Sequence, residues 1–240
     1  MSGACVAPGP KSLQGLAWLA RVGASPLEPL QLVLGCSTTR AHDHIHRLVD
    51  AGLVRRITMT RGHGSLLVVT PAGAQVAGCA PSSAPGSVAP TRWAHTTGCA
   101  WVSAWLQLRG RAWYSEREVF DDDFWSTQLR YQDHRGTARR THRPDLGVQT
   151  ASGPVAIEVE LQRKNPARLR GICALYAQLT ENADAPLAGV IYVTDRDDVT
   201  NQLRRAASAV GLEEPAFSLR ALADVIAQAR AAVGAGGAGR

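Results

Sequence analysis

Three acidic side chains that could act together lie between residues 142 and 164, in the stretch HRPDLGVQTASGPVAIEVELQRK. Asp145 opens one predicted strand, and Glu158 and Glu160 lie two residues apart on the next, PVAIEVELQ. Because side chains alternate between the two faces of a strand, Glu158 and Glu160 share one face. Like charges side by side cost free energy unless a cation or water compensates them. If the two strands form a hairpin, Asp145 comes close to Glu158.

This spacing is typical of metal-dependent phosphodiesterases, in which an aspartate is followed on the next strand by an acid and, two positions on, a second acid or a lysine. Carboxylate oxygens are the ligands that Mg²⁺ prefers. The ion activates water and neutralises the charge that builds up on the phosphate. The alternative is a solvated acidic face whose charges pair with nearby basic side chains, namely Arg163, Lys164 and Arg168.

Mixed helices and strands must position these acids. Asn165 is a predicted N-cap, and Pro166 suits the first turn of the helix ARLRGICALYAQLT. The apolar run AGVIYVTD predicts a central strand of a sheet. We therefore expect an α/β (α+β) domain over residues 92–233, preceded by a linker at 79–91, CAPSSAPGSVAPT, which holds no charge and is rich in Pro, Ser and Ala.

The residues before this linker predict three helices followed by a hairpin. Ser37 is a predicted N-cap for the third helix, which stops at Gly52, and the strands LVRRITMT and SLLVVT are joined by RGHG. This is the element order of a winged helix-turn-helix, over residues 11–78. In such a module the third helix enters the major groove and the wing meets phosphates.

Eight residues of this module are predicted to contact double-stranded DNA. Those expected on the outward face of the third helix are Thr39, Arg40, Asp43 and Arg47, and those expected on the wing are Arg55, Arg56, Arg61 and His63. A winged helix used for protein contacts is the alternative. His42 and His46 are four residues apart and could share a metal, but no Cys or Glu completes a ligand set, so solvated or phosphate-facing histidines are the preferred interpretation of the run HDHIH.

Composition excludes several protein classes. The net charge is +6, and residues 1–80 hold seven Lys and Arg against three acids, so a polyanionic partner is permitted. The five cysteines have no CxxC spacing, which argues against a disulfide framework or a zinc site. We find no signal-peptide pattern in MSGACVAPGPK and no membrane-spanning apolar run, and we expect a cytoplasmic protein with no membrane partner.

The order of these motifs resembles a known family. RPD followed by AIEVELQRK and a helix with RLRGICALY is similar to the PD-(D/E)xK nuclease superfamily. A winged helix, a linker, WYSERE, HRPDLGV and EVELQRK together resemble the replication-relaxation family of actinobacterial plasmids and mobile elements, over about residues 11–195.

The resemblance implies roles for individual residues. Asp145 and Glu158 would be metal ligands for Mg²⁺ or Mn²⁺, and Glu160 occupies the position that is often lysine. Gln162 or Lys164 could then orient the attacking water. An acid from the leading helix, Glu116 or Glu118, sometimes joins such a site.

Two functions follow from the resemblance and from the residues, and the sequence leaves both open. One is a DNA-binding protein of a plasmid or mobile element that nicks or cleaves DNA with Mg²⁺ during replication or transfer. The other is a non-catalytic regulator or accessory protein, whose nuclease-like domain binds DNA or forms a homodimer. No heptad or other dimer signal is visible.

Overall fold

The computed structural model describes residues 8–59, 64–133, 136–181 and 185–236. The chain divides into two compact units, Met1–Leu108 with Gln228–Arg240, and Arg109–Ala227. Each unit combines helices with a β-sheet, so the predicted mixed α/β class is confirmed at this level. None of the described helices has the length and apolar character needed to span a bilayer. Within the described residues, the cysteines Cys36, Cys79, Cys99 and Cys173 are not joined in disulfides.

The first unit begins with three helices and a small antiparallel sheet. Its helices are α1 (Pro10–Val22), α2 (Leu27–Leu34), α3 (Thr38–Asp50), α4 (Pro71–Val76) and α5 (Trp93–Leu108), and its strands are β1 (Ala24–Ser25), β2 (Val54–Thr58) and β3 (Ser65–Val69). The strand order is β1-β3-β2, and β2 and β3 form the predicted hairpin.

Helix α3 has the predicted N-cap and one buried face. The Ser37 hydroxyl accepts a hydrogen bond from the Arg40 amide at 3.4 Å and so satisfies a free N–H of the first turn. Ala41, Ile45 and Leu48 are fully buried, as their spacing requires. After the helix ends, Gly52 adopts φ +70°, a left-handed conformation that glycine adopts at little cost.

The predicted linker, 79–91, lies inside the first unit, and the boundary between the units falls after Leu108. Val88 and Trp93 pack against a cluster formed by the sheet of this unit, and the Trp93 indole N–H donates to the Val88 carbonyl at 2.9 Å. The Arg55 guanidinium also donates to the Gly86 carbonyl. These long-range contacts hold a segment whose composition alone is typical of a linker.

The second unit is built on a five-stranded mixed sheet in the order β10-β9-β8-β7-β4. Its strands are β4 (Trp113–Tyr114), β7 (Leu146–Thr150), β8 (Gly153–Val159), β9 (Gly189–Thr194) and β10 (Phe217–Ala221). Strands β8, β9 and β10 run parallel, whereas β7 is antiparallel to both β8 and β4. Strand β9 lies inside the sheet, between β8 and β10, as its apolar run predicts.

Helices and a separate two-stranded ribbon complete this unit. The helices are α6 (Glu116–Asp121), α7 (Pro166–Leu179), α8 (Asp197–Ser208) and α9 (Leu222–Gly236), and the ribbon is β5 (Thr127–Asp133) with β6 (Gly136–His142). Helix α9 begins in this unit and continues in the first, where the Trp105 indole N–H donates to Gln228 at 3.0 Å.

Helix α7 positions the candidate site. The Asn165 side chain accepts hydrogen bonds from the amides of Ala167 and Arg168, and Pro166 is the first helical residue, as predicted. Leu169, Ile172 and Tyr176 on α7 belong to one buried cluster with Ala156 on β8 and Tyr192 on β9. Helix α7 therefore covers the sheet face that carries the even-numbered residues of β8.

Candidate active site

The predicted hairpin brings Asp145 to Glu158. Leu146 pairs with Ile157 in the antiparallel register of β7 and β8, so Asp145 lies opposite Glu158 where β7 begins. The Asp145 carboxylate accepts a hydrogen bond from the Val159 amide, with Oδ2 at 2.8 Å from the nitrogen. This bond ties Asp145 to the end of β8 that carries both glutamates.

Both glutamates are buried, so a solvated acidic face is wrong, although the pairing of an acid with Lys164 that this alternative also predicted is present. Glu158 is 3% exposed and Glu160 is 7% exposed. Glu160 continues the strand beyond β8, because its amide donates to the Val193 carbonyl at 2.8 Å. Burying an ionised carboxylate is costly unless charges and hydrogen bonds compensate it, so the neighbours of these side chains decide their chemistry.

Glu158 is held by two neighbours that the sequence did not identify as site residues. Its Oε1 accepts a hydrogen bond from the Tyr176 hydroxyl at 2.6 Å and lies 2.9 Å from His142 Nε2. His142 Nε2 is also 3.1 Å from the Tyr176 hydroxyl oxygen. The carboxylate of Glu158, the imidazole of His142 and the phenol of Tyr176 therefore each contact the other two. Burial raises the pKa of Glu158, but His142, Lys164 and the Tyr176 hydrogen bond outweigh it and lower the pKa to about 2.

Lys164 supplies the positive charge of the site. Its ammonium forms an ion pair with Glu160, four residues earlier. Burial lowers the pKa of Lys164, but attraction to Glu158, Glu160 and Asp145 outweighs this effect and raises it. One ammonium group therefore lies in the field of all three carboxylates.

Glu160 is less easily ionised than Glu158. Burial raises its pKa, Lys164 acts in the opposite direction, and repulsion from Glu158 and Asp145 raises the pKa further. The Lys164 ion pair is thus the main compensation for the charge of Glu160. Because Glu158 and Glu160 differ in the direction of their pKa shifts, the two acids are not equivalent in the site.

The structure separates the two candidates for a water-orienting residue. The Lys164 ammonium is brought to the carboxylates, although its backbone lies after β8 and before α7. Gln162 is exposed.

Of the candidate acids on α6, Glu118 accepts a hydrogen bond from the Ser115 amide at 2.7 Å in a capping box, and Glu116 is exposed. Glu118 thus serves to start its own helix.

The residues present fit a hard divalent ion by their chemistry. They offer three carboxylates, two of them buried, within one polar cluster. Asp145, Glu158 and Glu160 do not each place an oxygen within 4.8 Å of the other two. The ammonium of Lys164 provides the compensating charge in this arrangement.

The predicted DNA-contacting residues of α3 are all accessible. Thr39, Arg40, Asp43 and Arg47 are exposed on the face opposite the buried stripe. Two of the three histidines in this stretch have partners: His46 Nδ1 lies 2.8 Å from Asp50, and His44 Nδ1 lies 3.0 Å from the Ser12 hydroxyl. The His46–Asp50 pair gives that histidine a role without a metal.

The predicted wing is described in part. Arg56 on β2 is exposed, whereas the Arg55 guanidinium binds the Gly86 carbonyl within its own unit. Arg61 and His63 lie outside the described residues. Arg56 is therefore the wing residue that the structure presents for an external partner.

His142 and Tyr176 are the site residues that sequence reasoning missed. The helical spacing of Tyr176 with Leu169 and Ile172 indicates a core position, and its ring is buried. Its hydroxyl, however, needs a partner once buried, and this requirement points to a polar group on the facing strand. His142, three residues before Asp145, could have been recognised by its place next to the RPD motif.

Comparison with known proteins identifies no family. No family model matches the chain, and no curated protein matches it. Among solved structures, protein VC1899 from Vibrio cholerae aligns with 14% sequence identity and a TM-score of 0.36, covering 94% of this chain and 56% of that protein. The chain thus spans just over half the length of VC1899, and a likeness of this size carries no argument. The resemblance to the replication-relaxation family stays a prediction.

Proposed function

We propose that this chain binds double-stranded DNA and cleaves it with a divalent metal, in the replication or transfer of a plasmid or mobile element. The observation that carries the proposal is the hairpin that brings Asp145 opposite Glu158, beside a buried Glu160 that is paired with the Lys164 ammonium. Charged groups are seldom buried for stability alone, and strongly shifted pKa values cluster at functional sites.

The proposed roles follow from the contacts of each side chain. Asp145 and Glu158 are the ligands of Mg²⁺ or Mn²⁺, with Glu160 beside them. When bound, the ion supplies a water of lowered pKa and stabilises negative charge on the phosphate. Tyr176 and His142 hold Glu158 in place, as partners of ligands commonly do.

Lys164 takes the place of the lysine that the PD-(D/E)xK pattern puts two residues after the second acid. Glu160 fills that position here, and the Lys164 ammonium reaches the same carboxylates from four residues further along the chain. An ammonium there can orient water or neutralise a phosphate oxygen. This substitution supports an active site despite the departure from the usual pattern.

DNA binding is assigned to the first unit as a winged helix-turn-helix. Support comes from helices α1 to α3, the β2–β3 hairpin and the exposed polar face of α3. In this proposal Arg40 and Arg47 reach base edges or phosphates in the major groove, and Arg56 meets the backbone. Arg55 is left out because its guanidinium is bound to the Gly86 carbonyl.

A second candidate is a non-catalytic regulator or accessory protein, and one observation favours it. Each acid has a partner within the chain: Asp145 with the Val159 amide, Glu158 with Tyr176 and His142, and Glu160 with Lys164. A network compensated in this way can exist without a metal. The second unit would then bind DNA or mediate dimerisation.

Incubation of the purified protein with supercoiled plasmid separates the two candidates. A nuclease converts the plasmid to nicked circles in Mg²⁺ or Mn²⁺ and leaves it intact in EDTA. Asp145→Asn and Glu158→Gln should both lose this conversion while still shifting the plasmid on a gel. If neither metal yields nicked circles, the regulator is supported instead.

A further inference from the structure

The β5–β6 ribbon presents an outward face that consists of polar side chains alone. Cross-strand partners in an antiparallel pair share a face, and three such pairs, one behind the other, form this face. They are Gln128 with Thr141, Arg130 with Arg139, and Gln132 with Thr137. All six side chains are exposed.

The inward face of the ribbon explains why it is held in place. Leu129 is 2% exposed and belongs to the core cluster that includes Leu169 and Ile172 of α7. Tyr131 packs against the same cluster, where Gly171 gives it room. An isolated two-stranded ribbon is marginally stable in water, so this packing is what keeps the outward face in position.

The two arginines of the outward face have no acidic partner among the described residues. Arg130 and Arg139 are direct cross-strand partners, and like charges in this relationship are destabilising. In the described part of the chain, neither they nor the neighbouring Arg140 forms an ion pair with an acidic side chain. An anionic partner would relieve this repulsion.

We propose that the outward face of the ribbon is a second binding surface for double-helical DNA, separate from α3. This inference rests on the proposed nuclease function, because it specifies where the DNA substrate of that nuclease is held. Seven residue pairs give a ribbon roughly 23 Å long, and a two-stranded ribbon fits the major groove. Arginines for phosphates, with glutamine and threonine for hydrogen bonds, match the chemistry of that partner.

The ribbon also ends at the candidate active site. His142 is the last residue of β6, and its Nε2 lies 2.9 Å from Glu158. A duplex held along the outward face is therefore fixed relative to the carboxylates by one continuous strand. Arg140, on the same strand, is also exposed, but it pairs with Leu129 and therefore lies on the other face of the ribbon.

The test compares two double variants of the full chain that remove the same charge. Arg130→Gln with Arg139→Gln alters the outward face, and Arg111→Gln with Arg204→Gln alters exposed arginines elsewhere in the second unit. Binding of a 30-base-pair duplex is measured by fluorescence anisotropy in EDTA, at several salt concentrations. Because EDTA removes divalent metal ions, the assay does not depend on cleavage. Its result can therefore be interpreted even if the nuclease proposal fails.

The ribbon variant should bind duplexes of any sequence more weakly and lose about 0.9 from the slope of log K against log salt for each phosphate contact removed. The control pair should keep the wild-type slope, and lysines at 130 and 139 should restore it. Equal slopes in the ribbon and control variants would overturn the proposal. Equally effective competition by a polyglutamate peptide would overturn it too, because the surface would then suit an acidic protein.

Discussion

The hydroxyl of Tyr176 donates a 2.6 Å hydrogen bond to the carboxylate of Glu158, and both side chains are at most 3% exposed. Burial and the nearby Glu158 charge raise the pKa of Tyr176 well above its usual value, so the phenol remains a donor at every physiological pH. The bond joins α7 to β8 and fixes one oxygen of a proposed metal ligand.

Tyr176→Phe should lower the free energy of unfolding by about 1–3 kcal/mol, because a buried acceptor loses a donor while the ring is kept. Urea denaturation of the metal-free protein measures the change. Tyr114→Phe is the control, since Tyr114 is 36% exposed. If the two variants unfold at the same urea concentration, the Tyr176 hydrogen bond contributes nothing to stability.

The low pKa of Glu158 predicts how stability depends on pH. Its pKa is about 2 in the folded protein and 4.5 as the ordinary value, so the unfolded state binds the proton first as pH falls. The stabilisation is fully present above pH 4.5 and is lost between 4.5 and 2, on the order of 3 kcal/mol. In the Glu158→Gln variant, the free energy of unfolding should change less with pH over this range than it does in the wild type.

The measurement is urea denaturation in EDTA at several pH values between 6 and 2.5. Glu181→Gln serves as the control, because Glu181 is exposed and should leave the acid profile of the wild type unchanged. A Glu158→Gln profile as steep as that of the wild type would mean that another acid carries the pH dependence.

Gly171 allows the ribbon to approach α7. A Cβ at this position would lie 2.7 Å from the Tyr131 Cβ, closer than real Cβ contacts allow, and neither atom is on a flexible side-chain end. Gly171→Ala should therefore destabilise the protein by about 1–3 kcal/mol, although alanine normally favours a helix. Gly86→Ala is a control with no atom within 4 Å. Equal melting temperatures for Gly171→Ala and the wild type would contradict the described packing.

Arg40 is exposed in the first turn of α3, and base readout by this residue predicts a selective effect. Arg40→Ala should weaken binding to the preferred DNA site roughly tenfold and weaken binding to unrelated duplexes less. A selection from random duplexes would identify the site, and Arg204→Ala provides a variant of equal charge. Uniform weakening on every sequence would assign Arg40 to phosphate contact.

Local sequence signals were sufficient to predict helix starts, and they were sufficient to predict that Asp145 lies close to Glu158. Ser37, Asn165 and Pro166 mark helix starts by local hydrogen bonding, and the structure has helices at those points. The β7–β8 hairpin follows from two apolar strands around a short turn, and it brings Asp145 opposite Glu158 as predicted.

The rest of the site depends on contacts between distant parts of the chain. Ala156, Glu158 and Glu160 have the pattern of a solvent-facing stripe, and only the position of α7 shows that this face is covered. The partners of Glu158 come from the end of β6 and the middle of α7. The position of the unit boundary, after Leu108, could not be predicted either. The composition of 79–91 does not show that Val88 packs against the sheet of the first unit.

The central claim is that Asp145 and Glu158 bind a divalent metal ion, and titration with Mn²⁺ followed by electron paramagnetic resonance tests it most directly. We expect the wild type to bind Mn²⁺ at this site, Asp145→Asn and Glu158→Gln to lose that binding while remaining folded, and Lys164→Met to retain it because a competing cation is removed. Absence of binding in the wild type, or unchanged binding in both carboxylate variants, would contradict the account.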